Sequence, residues 1–234
     1  MLKYDEFIEK VNEAGFWTPF TNYINPEIFT YGKEYSQDYS GNPDTDPINW
    51  NTRAAQEKKL ACGYFFNGKP GGFIAPRFYS IFIDAFRPRM TVEERYKSGK
   101  LGEYEWFVWN VFNKTKGPVC WSQIREYYGS KDAVEIRKLD AALKNLNTTF
   151  DITVSNALVG VLKNGKPSIY KSGNPIIGIG YNKVDSWVPP EWMKMNPRME
   201  HEEALEIIYR QAEKISNKGE ALKAFTKSLK LYKT

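Results

Sequence analysis

The stretch KDAVEIRKLDAALKNL, residues 131–146, followed by FDITV at 150–154, decides the fold. Ile136, Leu139, Leu143 and Leu146 recur at spacings of three, four and three, which is one continuous apolar stripe on a helix. Phe150 to Val154 then alternates apolar and polar side chains, the period of a half-buried strand. Upstream, Gly102–Thr115 is a second periodic helix, with Tyr104, Phe107, Val108, Val111 and Phe112 on one side. Lys116-Gly117-Pro118 breaks it, and a short helix from about Trp121 to Tyr128 stops at Gly129. Downstream, Asn164-Gly165-Lys166-Pro167 reads as a turn and 176–181 as a return strand. Helix, breaker, short helix, helix, strand, basic turn, strand is the order of a winged helix.

Outward from this centre the chain is mixed. Asp5–Ala14 reads as an amphipathic helix stopped by Gly15. Residues 16–49 carry many prolines, glycines and rings, the pattern of an irregular segment packed on the body. Trp50–Leu60 predicts a helix, 63–66 a strand, 67–72 a turn, and Phe73-Ile74 the start of a return strand. Pro76 opens a helix to about Phe86. The tail predicts helices over about 200–216 and 219–231. The expected class is α+β, with an aromatic-rich mixed unit at 1–98 that itself has the makings of a degenerate winged helix. A winged-helix domain follows at 99–188 and a helical extension at 189–234.

Composition narrows the function. The 234 residues are 41% hydrophobic and 26% charged, enough apolar material for a packed core. No run approaches the roughly 20 apolar residues of a membrane span, and the acidic start lacks a signal-peptide pattern. Two cysteines and one histidine, His201, argue against a disulfide framework, a metal centre or a histidine triad. The expectation is a cytoplasmic protein with neither metal nor cofactor. Net charge is +5, and residues 114–171 hold 10 basic against 5 acidic side chains. A basic helix-and-wing segment suits a phosphate-rich partner, double-stranded DNA. The candidate contacts are Arg137, Lys138, Lys144 and Asn145 on the recognition helix, and Lys163, Lys166 and Lys171 at the wing. The competing reading makes these the solvated face of a core helix, diluted by Asp132, Glu135 and Asp140. Trp50, Trp106, Trp109, Trp121, Trp187 and Trp192 read first as packing rings, with base stacking as the alternative. Asp84, set among Ile81, Phe82, Ile83 and Phe86, reads as a partner of Arg87 or Arg77, with a desolvated general base as the alternative.

Over residues 50–192 the sequence resembles the AlkZ-related winged-helix proteins, short relatives of the AlkZ/YcaQ-like DNA glycosylases. The resemblance is carried by Trp50 and its helix, by Gly63-Tyr64-Phe65-Phe66 through Gly72-Phe73-Ile74, and by Phe78-Tyr79 through Arg87. It continues in Gly99-Lys100-Leu101, Gly117-Pro118-Val119, Ile124-Arg125, Leu139 to Leu146, Gly180-Tyr181 and Trp187. It implies a winged-helix architecture and DNA binding in repair. The glycosylases' catalytic signature is a glutamine–x–glutamine pair. Here the glutamines are Gln37, Gln56, Gln123 and Gln211, no two separated by a single residue, so no catalytic residue is carried over. Enzymatic activity is at most that of a glycosylase-like hydrolase with a displaced group, Asp84 or Gln123. The remaining alternative is a non-enzymatic protein-interaction module on the same fold.

Overall fold

The computed structural model describes residues 3–17, 44–45, 50–65, 72–159 and 177–215. Along the chain these form α1 (Tyr4–Ala14), β1 (Phe16–Trp17), α2 (Trp50–Gln56), β2 (Ala61–Gly63), β3 (Gly72–Ile74) and α3 (Pro76–Phe86). There follow α4 (Val92–Lys97), α5 (Glu103–Lys114), β4 (Val119–Cys120), α6 (Trp121–Tyr128), α7 (Ala133–Thr148), β5 (Ile152–Val159) and β6 (Ile177–Lys183). The series ends with α8 (Val184–Trp187), a 3-10 turn at Trp192–Lys194 and α9 (His201–Ile215). Helices combined with two small antiparallel sheets make the fold α+β. Two compact units divide the chain: Met1–Arg87 with Val188–Thr234, and Pro88–Trp187.

The first unit is built on aromatic packing. Tyr4, Phe7, Ile8, Val11 and Ala14 recur at helical spacing on α1 and are all buried. The Phe7 ring lies 5.3 Å from Trp17, 5.1 Å from Trp50 and edge-on to Phe73 at 5.0 Å. Gly15, at φ +87°, ends α1 and turns the chain into β1, which pairs with β3, the central strand. Arg77 reaches back to donate to the carbonyls of Asn12 and Glu13 at 2.8–3.1 Å, supplying donors that the end of α1 lacks. On α3, Pro76 occupies the first turn and eight of the eleven residues are buried. The small buried face of α9, Ala204, Ile208 and Ala212, packs on α3, and Trp192 meets Tyr79 edge-on at 5.5 Å.

In the second unit α5 packs on α7, and β4, β6 and β5 form one sheet with β6 in the middle. Gly129, at φ +76°, closes α6, and Asp132 caps α7 by accepting from the amides of Val134 and Glu135 at 2.8 and 2.9 Å. Leu139, Leu143 and Leu146 are buried and Ile136 is half-buried, so the predicted stripe is the core face of α7. The buried Asn147 donates to the Ile152 carbonyl at 2.8 Å and ties the helix end to β5. Here Phe150 adopts φ +55°, and Asp151 accepts from the Arg95 guanidinium at 2.5 Å, with both side chains about 95% buried. Residues of β5 pair with β6 from Ile152↔Lys183 to Val159↔Ile177, with a bulge at Ser155.

Some sequence readings need correction. The helix predicted over Trp50–Leu60 ends at Gln56, where Lys58 turns to φ +56°, and the strand expected at 63–66 lies at Ala61–Gly63. Its register is fixed by pairing of Cys62 with Phe73 and Gly63 with Gly72 across the connection between β2 and β3. Elements α4, β4 and α8 were not expected, and Phe16–Trp17, read as the start of an irregular segment, form β1 by pairing with β3. The helix predicted at 219–231 and the turn at 164–167 lie outside the described residues. Among the described residues no helix is long and apolar enough to cross a membrane.

Candidate nucleic-acid interface

Packing one side of α7 against α5 leaves the other side to solvent. Val134, Arg137, Lys138, Ala141 and Asn145 are all exposed and fall at spacings of three, one, three and four, a single stripe. Arg137 folds back along the helix, its Nε donating to the Ala133 carbonyl at 3.2 Å. The Lys138 ammonium sits 5.4 Å from the centre of the Tyr104 ring. Among the described residues neither Arg137 nor Lys138 is in an ion pair.

The acids nearby are each engaged. Asp132 holds the helix cap. Glu135 leans on the Tyr128 hydroxyl; burial, a hydrogen bond with Tyr104 and this carboxylate together push that phenol up to about 12, so it stays neutral. Asp140 pairs with Lys144 at 2.5 Å, one turn along the helix. Two of the sequence candidates are thereby committed inside the protein: Lys144 to Asp140, and Asn145, which donates to Glu105 on α5 at 3.1 Å. The structure brings Arg137 and Lys138 together as open cations and holds Lys144 and Asn145 beside them as paired groups. Lys163, Lys166 and Lys171 fall between β5 and β6, outside the described residues.

Sequence reasoning passed over a further feature of this face. Tyr127 is 60% and Val134 is 50% exposed, flanking the turn between α6 and α7. Their signal was available: neither belongs to the buried stripe of its helix. Charge is partitioned as well. Residues 88–187 hold 15 Lys and Arg against 10 Asp and Glu, whereas the rest of the chain holds 18 of each, so the whole net charge of +5 lies in the second unit.

A family model described as AlkZ related matches residues 1–230. The chain belongs to the AlkZ-related family. No curated protein and no solved structure matches it. The match is wider than the stretch 50–192 that carried the resemblance, and it takes in both units.

In this AlkZ-related chain the two side chains considered as displaced catalysts hold backbone. Gln123 accepts from the Cys120 amide at 2.9 Å and closes the capping box of α6. Half-buried Asp84 accepts from the Met199 amide at 3.1 Å, tying α3 to the segment before α9. Arg77, one of the partners expected for Asp84, binds carbonyls of α1 as described above. Trp17, Trp50, Trp187 and Trp192 are buried, and Trp106, Trp109 and Trp121 are half-buried. Trp106 stacks on Tyr96 with ring centres 4.7 Å apart, and Lys183 lies over Trp109 at 4.6 Å while bonding Asn113. Among the described residues no group of three or more His, Cys, Asp and Glu could hold a metal.

Proposed function

We propose that this AlkZ-related chain is a DNA-binding protein in which the predicted domain at 99–188, all but its last residue within the second unit, works as a winged helix and lays α7 against duplex DNA. The observation that carries the reading is the exposed stripe of α7, on which Arg137 and Lys138 stand clear of carboxylates while every acid beside them is occupied. A helix of this kind fits the major groove, and its cations contact phosphates and base edges. The element order from α5 to β6, with β4 added to the edge of the β5–β6 hairpin, supports the same docking. Lys163, Lys166 and Lys171, in the connection between those two strands, supply wing contacts in this reading. Membership of the AlkZ-related family supports a role in DNA repair in this reading, and the sequence contains no glutamine–x–glutamine pair to run the glycosylase reaction.

Fluorescence anisotropy with duplex DNA at two salt concentrations tests the reading. Affinity falls with salt, with a slope of roughly 0.9 per phosphate contact. Exchanging Arg137 and Lys138 for Glu removes about two contacts from that slope and leaves the melting temperature unchanged, while Lys144→Glu alone does less, because Lys144 already serves Asp140. Folded protein that binds no duplex at low salt overturns the proposal. Release of abasic sites from alkylated DNA would instead return the chain to the enzymes.

A further inference from the structure

Among the described residues four large apolar side chains are exposed: Tyr127, Val134, Met193 and Met195. The two methionines follow each other closely in the segment before α9. The other two bracket the turn into α7, and Val134 stands in the first turn of that helix, one turn from Arg137 and Lys138. Nothing in the folding of α7 asks for valine here. The position lies opposite Leu139 and Leu143, and a β-branched side chain on an open helix surface is a weaker helix former than alanine, glutamate or lysine. An apolar branch one turn from a pair of cations suits a surface that is charged at its edges and apolar at points within. The major groove of DNA has that character: phosphates line it, and each thymine presents a 5-methyl group on its floor.

We propose, resting on the DNA-binding reading above, that Val134 is a sequence-reading residue that packs against thymine methyl groups in the major groove. Arg137 and Lys138, three and four residues further on, hold the adjoining phosphates and base edges and set the helix at the depth where the first turn reaches the bases. Ala141 continues the stripe with a side chain too short to hold the helix off.

The test deletes the methyl group and nothing else. Anisotropy titrations compare an alternating A·T duplex with its deoxyuridine counterpart, which keeps every phosphate and every hydrogen-bonding group. The wild-type protein is expected to bind the thymine duplex about fourfold more tightly for each methyl group buried. Val134→Ala should equalise the two duplexes while keeping the salt slope of the wild type, and Val134→Thr, which retains one methyl branch, should keep part of the preference. Equal binding of the two duplexes by the wild type overturns the proposal and leaves the DNA reading standing, as does a thymine preference that survives Val134→Ala. Failure to bind either duplex at low salt removes the DNA reading itself, and the proposal with it.

Discussion

Removing the Asp151 carboxylate should cost the second unit about 3–5 kcal/mol, the usual effect of leaving one member of a buried ion pair behind. The magnitude follows from the surroundings. Arg95 and Asp151 are 6% and 5% exposed at the side chain, and their contact is 2.5 Å. The guanidinium Nε is already buried without a hydrogen-bond partner among the described residues, so loss of the carboxylate strands a second donor on the same cation. Thr149, which also donates to Asp151, would suffer little, because the carbonyls of Asn145 and Leu146 lie 3.0 and 3.4 Å from its hydroxyl. Asp151→Ala therefore isolates a buried charge, whereas Arg95→Met combined with Asp151→Leu removes both charges and should cost less than Asp151→Ala alone. Because the chain has two compact units, the readout should be local: hydrogen exchange by mass spectrometry on peptides of α4, α7 and β5 across a urea series. A loss below about 1 kcal/mol in Asp151→Ala, or a double variant weaker than that single one, would refute the reasoning.

Two further outcomes concern the first unit. Gly15→Ala should destabilise it by at least about 2 kcal/mol, since an alanine Cβ would stand 2.4 Å from the Phe78 ring at a backbone φ of +87°; unfolding midpoints of the two proteins measure this. The Glu57 carboxyl is held below its ordinary value: burial acts upward but is outweighed by hydrogen bonds from Arg53, Tyr4 and Lys59. A lowered folded-state value means its contribution is full above the ordinary glutamate range near 4.3 and is lost as pH falls through the lowered value. Urea midpoints should therefore drop more on acidification in the wild type than in Glu57→Gln, and parallel curves would contradict the assignment.

The parts of the fold that were legible in the sequence are those whose determinants are local. Pro76 opens α3, Gly15 and Gly129 stop α1 and α6, and Leu139, Leu143 and Leu146 give the core face of α7. The helix α4 was missed although Thr91 and Glu94 form a capping box, because its six residues are too few to show a period. Strand β4 could not be seen: two residues become a strand only by pairing with Tyr181 and Gly180, sixty positions away. The candidate site divides the same way. The Asp140–Lys144 pair is an i, i+4 contact written in the sequence, whereas the Asn145–Glu105 bond spans forty residues and exists only because α5 packs on α7. Val134 was overlooked because attention to charge hides an apolar residue on an open surface.

The partition of charge between the units bears on kinetics. Steering of an approaching polyanion acts within the screening length, roughly 10 Å at 0.1 M salt and longer at low salt, and it follows net excess charge, which here belongs to residues 88–187 alone. Diffusional encounter with a polyanion is then biased in orientation before any contact forms, with the electrically balanced unit carried as a passenger. If the DNA-binding proposal holds, alterations that keep the passenger neutral would leave the association rate untouched, while a few added acids there would slow it without touching α7.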